Sequence, residues 1–337
     1  MTRITRRRAV VAALLSAAVL AGGSAGAGQA EAQTVMRVSH QLPPAHHIAQ
    51  LVDQWAADVE RLSEGTLAVE VLGANTAFKP DQNFPAVARG QIEAAISVNF
   101  QWGNTIPEMN VVTLPYFMTD IERVKRFPGS DAAQLLEEKL LGKGVRNVAW
   151  LFTTNSSIFT SAKKPIVEVA DFQGLKIRGL NKLVDEAFAA NGAAPTAMPG
   201  SEVYQGLQTG VIDAGLTDVS AAYSRKYYEV QSYGTVTPFF TVYFHIFVNP
   251  AWFDGLTEAQ RTAITEASAK AEEASYALTA ETASAAIEQL QAKGMTLHIQ
   301  SEAETEAWKQ AMQPPVMEAF KASSDDAARI VELVDKL

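Results

Sequence analysis

The sequence predicts an α/β protein of two domains, with a central cleft and one long helix spanning both. Three observations carry this expectation. The chain has 337 residues, enough for two separate cores. Strand-like apolar runs alternate with amphipathic helical runs along most of its length. From Thr257 to Lys293 there is no proline or glycine, and 37 residues of helix would extend about 55 Å, more than the width of one domain of this size.

The elements follow in order. Val35–His40 alternates and reads as a strand, ended by Pro43-Pro44. Ala45–Leu62 carries Ile48, Leu51, Val52, Trp55, Ala56 and Val59 at helical spacing, and Ser63-Glu64-Gly65 stops it. Leu67–Leu72 is a second strand, so the start of the chain is a βαβ unit with parallel strands. A helix around Phe84–Arg89 and a strand at Ile92–Val98 come next. Asn99–Asn104 then lies at the carboxyl end of that strand, where open α/β sheets bind ligands. Pro107–Phe117 reads as an extended apolar connection. Ile121–Leu141 is helical around Pro128-Gly129, and Val145–Phe152 is a strand.

Ile158-Phe159-Thr160 leads into a polar break, Ser161–Pro165, and the first crossing between domains falls in this region. A second α/β unit follows: strand Leu175–Ile177, helix Leu183–Asn191 ending at Gly192, an extended Pro195–Met198, helix Ser201–Thr209 with Ser201 as its N-cap, and strand Val211–Leu216. Ala221–Tyr228 is helical. Gly234–Val248 is a β-rich run long enough to cross back. Thr257-Glu258-Ala259-Gln260 forms a capping box for the long helix, and two helices kinked near Ser275 are the alternative. Met295–Ile299 is a last strand before helices at Glu302–Lys321 and Asp325–Leu337. The expected division is 1–32 as signal peptide, 33–156 plus 244–268 as domain I, 157–243 plus 269–315 as domain II, and 316–337 as a helical tail.

Residues 1–32 have the pattern of an export signal. Arg3, Arg6, Arg7 and Arg8 precede the apolar run Ala9–Leu20, and two A-x-A sites follow at Ala25-Gly26-Ala27 and Ala30-Glu31-Ala32. The run is too short to span a bilayer, and Thr5-Arg6-Arg7-Arg8 leaves both the general and the twin-arginine routes open. An exported, periplasmic protein without membrane insertion is expected. Removing Arg3, Arg6, Arg7, Arg8 and Glu31 takes 28 basic and 37 acidic residues to 24 and 36, a net charge of −12. So acidic a body argues against nucleic acid and anionic membranes as partners.

The chemistry of catalysis is sparse. With no cysteine there is no thiol nucleophile, disulfide or thiolate metal site, and there is no G-x-S-x-G outside the leader. The five histidines, His40, His46, His47, His245 and His298, include no H-E-x-x-H pattern, so neither a metal nor a cofactor is expected. His40 and His46 flank a strand–helix loop and are open to pocket-lining or core roles. Recognition remains. Arg178, where a short strand runs out, can grip a carboxylate with two parallel charge-assisted hydrogen bonds. Phe100, Trp102, Tyr243, Phe244, Gln41, Asn99, Asn155, Asn181 and Thr217 stand at or near other strand ends, aromatic walls with a few polar groups as in a small-molecule pocket. Each of these, taken alone, is open to a structural role.

Four ordered motifs then resemble one family. Asp171-Phe172-Gln173-Gly174-Leu175-Lys176-Ile177-Arg178, Pro195-Thr196-Ala197-Met198-Pro199-Gly200-Ser201-Glu202-Val203-Tyr204, Leu207-Gln208-Thr209-Gly210-Val211-Ile212-Asp213-Ala214 and Lys226-Tyr227-Tyr228-Glu229-Val230-Gln231 resemble the substrate-binding proteins of TRAP (tripartite ATP-independent periplasmic) transporters, of the dicarboxylate-binding type. The resemblance covers nearly all of the chain after the leader. It implies a periplasmic binding protein-like fold of class II, closure around an organic anion, and handover to membrane permease subunits by a monomeric receptor. It places carboxylate binding on Arg178, a ligand hydrogen bond on Asn181, and a first-strand loop contact on Gln41. The expected site is Arg178, Asn181, Gln41, Asn99, Phe100, Trp102, Asn155, Thr217, Tyr243 and Phe240.

Three departures from the family pattern bear on the ligand. Asn155-Ser156-Ser157-Ile158 stands where many members carry a second arginine. Thr217 stands where an asparagine is common, and Gly200 where a phenylalanine is common. Arg178 is therefore expected to be the main cation in the cleft, and the ligand a monocarboxylate with an apolar or aromatic body. The alternatives are a dicarboxylate, a neutral or a metal-bridged ligand on the same fold, or an exported α/β hydrolase.

Overall fold

The structure, a computed structural model, describes residues 33–337, so the signal-peptide reading of residues 1–32 lies outside the described residues. The first sheet begins with β1 (Thr34–Ser39), α1 (His47–Leu62), β2 (Leu67–Leu72), α2 (Pro80–Ala88) and β3 (Ala94–Val98). β1 pairs in parallel with both β2 and β3, the arrangement expected of the βαβ start. α1 buries Ile48, Leu51, Val52, Trp55, Ala56 and Val59, the stripe its spacing predicts. α2 starts four residues earlier than its apolar pattern suggests because Pro80 suits the first helical turn, where its missing N–H costs nothing.

Pro107–Thr113 is a 3-10 turn and not an extended connection. Two side chains hold it coiled: Asn99 Nδ2 donates to the Met109 carbonyl at 2.9 Å, and Thr113 Oγ1 donates to that of Asn110 at 2.8 Å. Helices α3 (Ile121–Arg126) and α4 (Asp131–Gly142) lead to β4 (Arg146–Thr154).

The chain changes sheet between Thr154 and Ser157, ahead of the polar break. β5 (Ser157–Ser161), β6 (Lys176–Gly179), α5 (Lys182–Ala190), β7 (Ala194–Ala197), α6 (Val203–Thr209), β8 (Ala214–Asp218), α7 (Val219–Ser224) and β9 (Tyr233–Thr237) build the second sheet. Ser201 does not cap α6; Glu202 flanks it, and Ser201 Oγ is buried without a partner. β8 begins three residues later than predicted, since Gly210 in the left-handed region (φ 72°) turns Val211 out to solvent. Pro238 divides the β-rich run 234–248, and β10 (Val242–Val248) returns to the first sheet. With a last strand β11 (Thr296–Ile299), the strand orders are β2-β1-β3-β10-β4 and β11-β9-β5-β8-β6-β7. β10 runs antiparallel to β3 and β4, and β5 antiparallel to β8 and β9, so both sheets are mixed.

After α8 (Pro250–Asp254), α9 (Glu258–Ala292) is one unbroken helix of 35 residues, opened by the Thr257–Gln260 capping box. At 1.5 Å per residue it extends about 52 Å. Its first half is tied to the first sheet: Ser268 Oγ accepts from Trp55 Nε1 at 3.1 Å, and Ser275 Oγ accepts from the Phe152 amide at 3.1 Å. Its second half buries Ala286 and Leu290 with Ile158, Val203 and Leu207 under the second sheet. Ser275, fully buried in a continuous helix, marks no kink. β11 (Thr296–Ile299), α10 (Glu302–Lys321) and α11 (Ala327–Asp335) complete the chain.

Candidate functional site

β6 ends by lifting Arg178 into the space between the sheets. The residue is 2% exposed. Nε and Nη2 donate to the Met198 carbonyl at 3.3 and 3.2 Å, and Nη1 donates to the carbonyl of Leu216. Among the described residues no carboxylate lies within 4.0 Å of it, and each ion pair involves other residues. Burial pulls it down to about 10, with Arg225 acting in the same direction and Tyr227, Asp218 and Asp185 opposing. The ring of Phe100 lies 6.0 Å from the guanidinium carbon.

Arg178 faces a chamber of about 30 Å3, room for a water molecule or two. Gln41, Phe100 and Phe244 reach it from the first sheet, Thr217, Asp218 and Arg225 from the second, and Phe240 from the crossover between them. Gln41 Oε1 is buried with no hydrogen-bond partner. A larger cavity of about 370 Å3 adjoins it and shares Phe100 and Leu180. Trp102, Asn181, Lys182, Phe84 and Met198 line this outer cavity. Its volume falls in the range of small-molecule sites.

Of the ten residues expected at the site, five line the chamber: Gln41, Phe100, Arg178, Thr217 and Phe240. Trp102 and Asn181 line the outer cavity, and both also serve the fold. Trp102 packs on Phe84, Phe247 and His245 with centroids 4.5, 5.4 and 5.5 Å away. Asn181 caps α5 through the Val184 amide, and its Nδ2 donates to Asn110 Oδ1 at 2.9 Å across the cleft.

Asn99, Asn155 and Tyr243 are not brought to either cavity. The amide of Asn99 is spent on the Met109 carbonyl and the Tyr243 N–H. Asn155 Nδ2 donates to the Thr119 carbonyl at 3.3 Å. Tyr243 falls on the wrong side of β10: alternation sends Val242 and Phe244 to the chamber and Tyr243 into an aromatic cluster with Phe127, Trp150 and Phe152, where its hydroxyl donates to Val124. His40 and His46 resolve as core residues whose Nδ1 atoms accept the Leu42 and Ile48 amides. Burial holds His40 down at about 4 and His46 well below its usual value, with His47, Arg225 and His40 adding to the latter, so both are neutral acceptors.

Arg225 is the residue that sequence reasoning missed. It follows α7, and its Nη1 lies 3.4 Å from Thr217 Oγ1. The expectation that Arg178 would be the main cation in the cleft does not hold, since a second guanidinium faces the same chamber. The signal was present in Gly200, whose missing side chain leaves the space that the Arg225 guanidinium fills.

Buried cation, aromatic walls and a cleft between two mixed sheets fit a receptor for an anion, and comparison with known proteins agrees. The sequence profile of bacterial extracellular solute-binding protein family 7 matches residues 38–323. The chain belongs to this family. The C4-dicarboxylate-binding periplasmic protein DctP of Rhodobacter capsulatus is 28% identical over 314 residues, 92% of this chain and 93% of that protein. Among solved structures, a TRAP periplasmic solute-binding protein from Desulfovibrio salexigens with bound orotic acid has a TM-score of 0.85 at 22% identity, covering 90% of this chain and 98% of the other. DctP7 of Bordetella pertussis, an extracytoplasmic solute receptor binding pyroglutamic acid, has a TM-score of 0.83 at 22% identity, over 90% and 99% of the two chains. These neighbours share the class II fold. This family 7 protein is thus a DctP-like TRAP solute-binding protein of the periplasm, and not an enzyme.

Proposed function

We propose that this protein captures a small organic acid between its two sheets, holds the carboxylate on Arg178, and delivers it to the membrane permease subunits of a TRAP transporter. One observation carries the reading: Arg178 is a fully buried cation whose bonds all go to backbone carbonyls, with no carboxylate of the described chain paired to it. A buried charge without a counter-ion is costly, and a ligand carboxylate offsets that cost only when bound. Relatives whose names record organic acids support it, orotate and pyroglutamate among them.

The walls favour a monocarboxylate with an apolar or aromatic body, since Phe100, Phe240, Phe244, Val98 and Leu180 line the chamber. At about 30 Å3 the chamber is smaller than any such acid, so the sheets must part to admit it and close again around it. The outer cavity, with Phe100 and Leu180 at the junction, is the way in. A thermal-shift screen of organic acids identifies the ligand, because an acid at 100 times its dissociation constant adds about 2.7 kcal/mol of stability. Calorimetry of Arg178→Met with that acid then tests the role of Arg178. Wild-type affinity in the variant would remove the assignment.

A further inference from the structure

Gly200 stands in the connection between β7 and α6. A Cβ built there would lie 2.7 Å from Arg225 Nη1, 2.8 Å from Cζ and 2.9 Å from Nη2. Those distances are shorter than side chains tolerate, so any other residue at 200 forces the guanidinium, the mobile end of its side chain, to shift from its present place. The backbone at Gly200 is outside the left-handed region, so conformation does not require glycine here. Space does.

Arg225 is under-used where it lies. Its Nε is buried with no hydrogen-bond partner, Nη1 makes a long 3.4 Å contact to Thr217, the buried Tyr227 hydroxyl is its other side-chain neighbour, and among the described residues it forms no ion pair. Asp218 lines the same chamber, but one of its oxygens is engaged by the Ala221 amide as the cap of α7. In formal charge, Arg178 and Arg225 face the chamber against Asp218 alone. That balance leaves one net positive charge. It suits a ligand with one negative charge and a second, neutral oxygen acceptor, and it disfavours a purely apolar tail beside Arg225.

We infer that Gly200 and Arg225 together form a second anchor in the chamber, selecting organic acids that carry a carbonyl or hydroxyl oxygen besides the carboxylate held by Arg178. The inference rests on the carboxylate-binding reading above and adds a specificity determinant to it. Arg225 with Thr217 supplies donors to the second oxygen, and Gly200 keeps the place open for them.

The test uses near-isosteric pairs that differ in the second oxygen: pyroglutamate against cyclopentanecarboxylate, and 2-oxobutyrate against butyrate, with succinate against succinamate to measure the effect of a second charge. Binding is measured by calorimetry on the mature chain, with thermal unfolding of each unliganded variant as the control for folding. Wild type should prefer the oxygen-bearing member of at least one of the first two pairs by about tenfold or more. Arg225→Gln should erase that preference, weakening the oxygen-bearing acid more than the oxygen-free one, which loses only the long-range attraction of the second cation. Gly200→Ala should lower the preference in the same direction as Arg225→Gln, and the double variant should lose nothing beyond Arg225→Gln, because both changes act on one interaction. Wild-type discrimination in Gly200→Ala or in Arg225→Gln would overturn the inference, as would the absence of binding to every acid named. Should Arg178→Met bind all acids normally while Arg225→Gln loses discrimination, the carboxylate assignment fails and the second anchor stands alone.

Discussion

Replacing Arg178 by methionine separates binding from folding in a way the geometry makes quantitative. The side chain serves the fold through the Met198 and Leu216 carbonyls, and leaving one part-buried and one buried carbonyl without donors costs about 2–4 kcal/mol. Against this, burial holds the guanidinium at about 10 instead of 12.5, a penalty of about 3 kcal/mol that methionine does not pay. The two nearly cancel. The unliganded variant should therefore unfold within about 4 °C of wild type. Binding has no such offset, because a ligand carboxylate then enters a buried site without its cation, at a cost of about 2–5 kcal/mol, or roughly 30-fold to several thousand-fold in affinity. Arg178→Lys should fall between, since an ammonium keeps the charge but not the fork. Calorimetry with the best acid from the thermal-shift screen, beside a melting curve of each variant, reads both quantities. An affinity within threefold of wild type, or a loss of stability as large as the loss of binding, would refute the reasoning.

Three further outcomes follow from other residues. Asn99→Ala should lower stability by about 2–4 kcal/mol in urea, by stranding the Met109 carbonyl and the Tyr243 amide, yet leave acid affinity within about threefold, because Asn99 does not line the chamber. Glu272 is raised from 4.5 to about 7 by burial first and by Glu137 second, so the folded chain keeps a proton that the unfolded chain has lost, and stability falls as pH climbs from 4.5 to 7. Glu272→Gln keeps the acceptor for the Trp150 amide and removes the titration, so it should match wild type near the bottom of that window and exceed it by about 3 kcal/mol at pH 8, as thermal melts at the two pH values would record. Ser275→Pro should cost about 3 kcal/mol or more in urea unfolding if α9 is continuous, and far less if a kink already lay there.

What the sequence made legible was what local patterning specifies. The stripe of α1, the capping box of α9 and the parallel start of β1, α1 and β2 all follow from spacing and caps within a few residues. Elements set by distant partners did not. Pro107–Thr113 reads as extended from its apolar run, yet the Asn99 amide and the Thr113 hydroxyl hold it coiled. Tyr243 and Phe244 are indistinguishable as strand aromatics until the register of β10 against β3 and β4 decides which one faces the chamber. Arg178 was legible because it stands at a strand end within a motif. Arg225 was not, because it reaches the chamber from beyond a short helix, through space left by a residue 25 positions away in sequence. Gly200 departs visibly from the family pattern, but its meaning depends on what fills the gap.

The most direct measurement is a crystal structure of the mature protein with the highest-affinity acid from the screen. The account predicts the ligand carboxylate in the chamber between the sheets, with two oxygens about 2.7–2.9 Å from the Arg178 guanidinium and Phe100 against its body. An acid bound only in the outer cavity, for example against Lys182, or one bound with Arg178 still fully engaged by the Met198 and Leu216 carbonyls and out of reach of the ligand, would contradict it.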